Sequence, residues 1–267
     1  MRLSQTFARR SAAFAAASLF LCAGSAFAAD GVDVMKRVEK AMRSETGEKQ
    51  TVQMQLTSAA GTTETRTFTM WLRSPEGKAS KSLIKFESPA TIAGTALLTV
   101  TRPGGAQDNW LYVPALGQTR RVAPQDRSES FVQSDFTIED LTVTLDPENR
   151  KYEVLGGVTC GERPCTQVQD SPANDAAAKA SGYGRVVLYV DDEVGVVHRV
   201  DFYDKTDSLL KVLQADGLKQ VGADWRFDRA VVTNVQKGTR TVMTVTARAQ
   251  GEQVDDSIFN ASSLDAL

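Results

Sequence analysis

Few residues in this 267-residue chain are equipped for chemistry, and they are scattered. The one histidine, His198, stands in "VVHRVDFY", alternating with apolar residues as a strand position does. A general base needs a nucleophile in hydrogen-bond reach and a third group to orient it. No Gly-x-Ser-x-Gly elbow occurs anywhere, so His198 reads as a solvated or cross-strand residue. Asp191, Asp192 and Glu193, followed by Gly195, do not have the spacing of an EF-hand loop and read as a hairpin turn. A structural zinc site needs about four ligands, which a chain with one histidine does not offer. No metal, cofactor or enzymatic activity is expected.

The remaining cluster of acids is Asp135, Glu139 and Asp140, within "SFVQSDFTIEDL" (130–141). Paired carboxylates can divide acid and base roles, but no partner set accompanies these. Facing solvent, or capping amides near Ser134 and Thr137, suits them better. Phe131, Phe136 and Leu141 of the same stretch would then point inward. An ion pair from Asp135 or Asp140 to Arg120 or Arg121, close in sequence, would make the stretch a latch.

What positions these residues starts after an export signal. Arg2, Arg9 and Arg10 lead an apolar run from Ala12 to Ala23, and Ala26-Phe27-Ala28 supplies a small-x-small cleavage pattern. Cys22 follows the bulky Leu21, which disfavours lipidation, and Arg9-Arg10 lacks the apolar continuation of a twin-arginine signal. Removing residues 1–28 leaves 28 basic against 33 acidic side chains, a net charge of about −5. That balance argues against nucleic acid and against attraction to an anionic membrane surface. Cys160 and Cys165, in "TCGERPC", are expected to form a disulfide clamping a hairpin, Gly161 and Pro164 favouring the turn.

Residues 29–267 read as one domain. A helix is expected over Asp30–Ser44, with Val34, Met35, Val38, Ala41 and Met42 at helical spacing, Asp33 as cap and Gly47 ending it. Thereafter the apolar period is two, beginning with Val52-Met54-Leu56 and Phe68-Met70-Leu72. About ten to eleven mostly antiparallel strands follow, with helical or turn structure near 128–141 and a mobile surface loop at Ser171–Gly182 ("SPANDAAAKASG"). So many strands with so little helix must curve and cover their own apolar face. A half-open barrel with an apolar hollow, plugged by the helix and by 130–141, is the economical solution. Met54, Phe68, Met70, Leu72, Phe86, Leu98, Trp110 and Tyr112 are the candidates to line it. Trp110 and Tyr112 share one face and Leu111 and Val113 the other; either pair fits the inward side.

Three runs carry a resemblance: "KFESPATIAGTALLTV", "WLYVPALGQTRRV" and "SFVQSDFTIEDL". With "YDKTDSLLK" and the closing "IFNASSL", they resemble the LolA-like outer-membrane lipoprotein-sorting proteins from about residue 85 to 264. One departure is Gln133, where a Gly is common in that family. The resemblance implies a half-open antiparallel β-barrel with a helical lid built from Phe131, Ser134, Asp135, Phe136, Glu139, Asp140 and Leu141. It implies a periplasmic, monomeric carrier of lipoprotein or other lipid cargo, hopanoids and glycolipids included. The partners would be an inner-membrane exporter of RND or ABC type and an outer-membrane acceptor. A lipoprotein-sensing regulator bound to a membrane-anchored protein is the alternative.

Overall fold

The computed structural model describes residues 30–251 and 254–266; the export-signal reading of residues 1–28, Cys22 included, lies outside them. Helix α1 (Gly31–Ala41) buries Val34, Met35 and Val38, as its spacing predicts. Its cap is Asp30, whose side chain accepts from the Val32 N–H, while Asp33 pairs with Lys36 one turn on. The helix stops earlier than Ser44, because the Arg226 guanidinium takes the carbonyls of Ala41 and Arg43 that another turn would need.

Two antiparallel meanders make the sheet. The first is β1 (Glu48–Thr57), β2 (Thr63–Arg73), β3 (Ser80–Ser88), β4 (Ala96–Thr101), β5 (Gln107–Val113) and β6 (Gln118–Arg121). The second runs from β7 (Arg150–Cys160) and β8 (Arg163–Pro172) to β9 (Arg185–Asp191), β10 (Val197–Tyr203) and β11 (Leu209–Asp216). A separate hairpin, β12 (Lys219–Val221) with β13 (Asp224–Arg226), precedes β14 (Arg229–Asn234) and β15 (Thr239–Gln250). Strand β15 returns to pair with β1, so one 13-stranded sheet runs in the order β6-β5-β4-β3-β2-β1-β15-β14-β11-β10-β9-β8-β7. Its free edges, β6 and β7, are consecutive in sequence. The chain between them, 122–149, therefore has to cross the open side, and the lid position follows from topology alone.

The strand count exceeds the ten to eleven expected. "QTRR" of β6 carries no apolar alternation, and the run around Trp225–Val235 breaks at Phe227-Asp228 into β13 and β14. The loop expected at Ser171–Gly182 is ordered too: β8 reaches Pro172, and Asp175–Ala180 forms α2, capped by the Asn174 side chain on the Ala177 N–H. An alanine run behind an Asn cap is helix-forming once docked. Cys160 and Cys165 form a disulfide closing the β7–β8 hairpin. The C-terminal residues Val254, Phe259 and Leu264 cover Leu83, Ala96 and Leu98 on the convex face.

Candidate functional site

The register of the sheet places one row of apolar side chains on its concave side. Val52 faces Val245 and Phe68; Met70 faces Ile84; Leu213 faces Val200, which faces Leu188; Phe202 faces Val186. Around α1, part of this row closes into a dense core with Tyr152, Val168 and Tyr183. Near the lid, another part closes around Met54, Phe86, Leu97, Phe131 and Ile138. Between the two cores the walls stand apart, leaving a hollow of about 790 Å³. That volume lies in the range of about 300–1,000 Å³ typical of small-molecule sites. Phe68, Met70, Leu72, Ile84, Val186, Leu188, Val200, Phe202, Leu213, Met243 and Val245 form the walls, with Phe136, Leu141 and Val143 as the roof.

One end of the hollow is polar. Glu48, its side chain 1% exposed, accepts from Gln50 Nε2 at 2.7 Å, Arg248 Nη1 at 2.6 Å and Arg226 Nε at 3.3 Å. This network ties the β12–β13 hairpin to β1, β15 and the end of α1, and Trp225 and Phe227 lie beside it on the wall. A buried carboxylate held by two guanidiniums is a structural joint, not a free acid.

The roof is 130–141, a chain of tight turns rather than a regular helix. The Phe131 N–H donates to the Phe136 carbonyl, Ser134 Oγ donates to the Phe131 carbonyl, and Val132 and Gln133 take left-handed φ of 46° and 60°. Glycine carries that conformation without strain, so Gln133 holds a turn where the resemblance implies a glycine. The Arg66 guanidinium fixes the tip by donating to the Val132 carbonyl.

The three acids of the roof turn inward rather than to solvent, Asp140 capping the Thr137 N–H as expected, and each is tethered to a different part of the wall. Thr239 and Thr241 hydroxyls donate to Asp135, whose own N–H donates to Thr241 Oγ1 at 3.0 Å. Ser181 Oγ and the Gly182 N–H donate to Glu139 at 2.6 and 2.9 Å. Asp140 accepts from Lys211 Nζ, from Tyr183 Oη at 2.6 Å and from the Thr137 N–H at 2.7 Å. The Asp140 and Lys211 side chains are 0% and 3% exposed. Burial, with Asp140 beside it, pushes the Tyr183 hydroxyl well above its ordinary pKa, so it stays a donor. The latch to Arg120 or Arg121 does not form: Arg121 and Arg102 clamp Asp108, and Arg120 is exposed beside a small second pocket of about 200 Å³. Lys211 wins because β11 passes directly beneath the roof whereas β6 is at the rim.

Of the lining candidates, Phe68, Met70 and Leu72 lie on the hollow. Met54 and Phe86 share that concave face but are sealed in the core beneath the lid, with Phe86 stacked at 5.8 Å on Phe131. Leu98, Trp110 and Tyr112 face the convex side under the C-terminal segment, so Leu111 and Val113 are the inward pair. The second wall, from β9 to β15, was visible as alternation without an assigned face. His198 donates or accepts with Asp191 at 3.0 Å. Burial opposes the charge of Asp191, but Arg163, His198 and the amides of Val194 and Glu193 outweigh it and hold its carboxyl well below the usual range. Among the described residues, no group of three or more His, Cys, Asp or Glu is arranged to hold a metal ion, and no helix is long and apolar enough to cross a membrane.

The family model described as "-like: Uncharacterized protein" matches residues 78–266, most of the chain, and the chain belongs to that family. No curated protein matches it. Among solved structures, it is similar to a putative outer membrane lipoprotein-sorting protein domain from Vibrio parahaemolyticus, with 26% identity over 88% of this chain and 98% of that one, TM-score 0.79. A DUF1329 family protein from Desulfovibrio piger gives 26% identity over 88% and 97% of the two chains, TM-score 0.78. A LolA superfamily protein from Nitrosomonas europaea shares the fold at 14% identity over 87% and 98%, TM-score 0.65. The half-open antiparallel sheet with its roof is LolA-like.

Proposed function

We propose that this LolA-like chain is a carrier of acyl chains. The hollow takes the hydrocarbon of a lipoprotein or another amphiphilic lipid, and the roof at 130–141 shields it during transit from the inner membrane towards the outer membrane. The periplasm, after loss of residues 1–28, is the compartment in which such transit is needed. An exporter of RND or ABC type would load the carrier and an outer-membrane acceptor would unload it, the protein travelling as a monomer.

The observation that carries this reading is the hollow itself: about 790 Å³, walled by Phe68, Met70, Val200, Leu213 and Val245, and roofed by a segment attached through side chains. Each buried methylene is worth about 0.8 kcal/mol, so a chain of about sixteen carbons resists water by roughly 12 kcal/mol. That is about nine orders of magnitude in an equilibrium constant, and a wall of this kind offsets most of it.

Filling the hollow tests the reading. Leu213→Trp and Val245→Trp place indoles in its middle, and each is expected to weaken binding of a fluorescent fatty acyl probe at least tenfold while cooperative unfolding is retained. Undiminished probe binding by both folded variants would contradict the assignment of the acyl chain to this hollow.

A further inference from the structure

The apolar walls account for hydrocarbon but not for a group at the roof's edge. Arg127, in the turn Pro124–Ser128, lines the hollow and is partly buried. Its Nε is shielded from solvent and has no hydrogen-bond partner, and no carboxylate pairs with its guanidinium among the described residues. The nearby charges are Glu139, Asp146 and Arg150. Each of these is already engaged elsewhere. Glu139 is taken by Ser181 and Gly182, Asp146 by Asn149, and Arg150 by Asp170 at 2.6 Å. Burial pulls the Arg127 guanidinium below its ordinary pKa and Arg150 adds to the pull, so a negative charge beside it would relieve both.

A second orphan lines the same hollow. Gln107, at the start of β5, lines the hollow with both carboxamide atoms buried and unpartnered. Gly105, two residues earlier, packs directly on Leu145 and Asp146, the latter being one of the charges that Arg127 feels. A guanidinium and a carboxamide without partners, at the margin of an apolar hollow, can donate several hydrogen bonds to oxygen. Buried polar groups without partners are rare in native proteins.

We propose that Arg127, assisted by Gln107, is the docking point for the head group of the cargo, and that this group is a singly charged oxyanion carried by an acyl chain. This rests on the carrier reading above. One negative charge pairs with Arg127; a doubly charged phosphomonoester would crowd Glu139 and Asp146, whose charges Arg127 feels, and Asp170, which also lines the hollow. The carboxylate of a fatty acid and the phosphodiester of a phospholipid share the required chemistry.

The test compares dansyl-labelled undecanoic acid with its methyl ester on the full chain, by fluorescence titration at neutral pH. The wild-type protein is expected to prefer the acid, and Arg127→Met is expected to reduce the acid-over-ester affinity ratio about tenfold. Arg127→Lys keeps the charge and should retain part of the preference, and the ester titration reports whether each variant is folded. Displacement of the probe by phosphatidylglycerol but not by a neutral diacylglycerol would assign the site to phosphodiester lipids, whereas displacement by hexadecanoate alone would assign it to fatty acids. An acid-over-ester ratio equal in wild type and Arg127→Met overturns the docking point and leaves the carrier reading standing. Failure of the wild-type protein to bind either probe overturns both.

Discussion

Lys211 and Asp140 meet where neither reaches water, so neither tolerates the loss of the other. Asp140→Ala strands a buried ammonium between the rings of Tyr183 and Phe202 and is expected to cost about 3–5 kcal/mol, read as a lower urea midpoint. Asp135→Ala removes only the hydroxyl contacts from Thr239 and Thr241 of β15, the backbone N–H at 135 keeping its bond to Thr241, with an expected cost of about 1–2 kcal/mol. Its larger effect should be on the dissociation rate of a bound acyl probe; a stability loss matching that of Asp140→Ala with an unchanged rate would contradict a tethering role. Asp170 supplies a pH signature. Burial raises its pKa to about 6 against the pull of Arg150. Between about pH 4 and 6 the folded protein keeps a proton that the unfolded chain has released, so stability falls as pH rises through that window, by up to about 3 kcal/mol. Asp170→Asn should abolish that fall, and urea unfolding across the window would show it; a wild-type stability that is flat there contradicts it. The acids of 130–141 were legible in the sequence as polar residues in an apolar run. Their partners were not, because Lys211 and Thr241 lie 71 and 106 residues away and nothing local distinguishes them.

Among the elements, the roof stores strain that the strands do not. Val132 and Gln133 sit in the left-handed region, at roughly 1–2 kcal/mol per residue. Gln133→Gly removes its share but loosens the unfolded chain, so a net change within about 1 kcal/mol is expected. Gln133→Val adds a β-branched side chain there and should cost about 2 kcal/mol in thermal or urea unfolding; a neutral outcome would mean that the turn relaxes freely. The β7–β8 clamp is simpler. Replacing Cys160 and Cys165 together with alanine removes a short covalent loop and should lower stability by about 2 kcal/mol. Elements with one buried face, such as β1 and β2, were readable from alternation alone. Strand β6, "QTRR", and helix α2 were not: the first is held by pairing with β5, and the second by docking beside Ser181 and Gly182, which bind Glu139.

At the scale of the molecule, the lid is a consequence of strand order. Because β15 pairs with β1, the sheet's edges fall on either side of 122–149, and that segment has to roof the concave face. The half-open form follows from so many strands with so little helix, and the resemblance of "SFVQSDFTIEDL" to a family implies the same form with a lid. Which residues face inward depends on that closure, whose contacts, such as Arg248 to Glu48, span 200 residues. This is why alternation leaves the inward pair among Trp110–Val113 open and does not single out Val200, Leu213 and Val245. A carrier must also let go, and a roof attached by Asp135, Glu139 and Asp140 can detach without unpairing any strand of the sheet. The most direct measurement is native mass spectrometry of protein released gently from cells, followed by solvent extraction of whatever accompanies it. A bound acyl species at near-unit stoichiometry is the expected result; a protein that emerges clean and also refuses an added fluorescent acyl probe contradicts the carrier role.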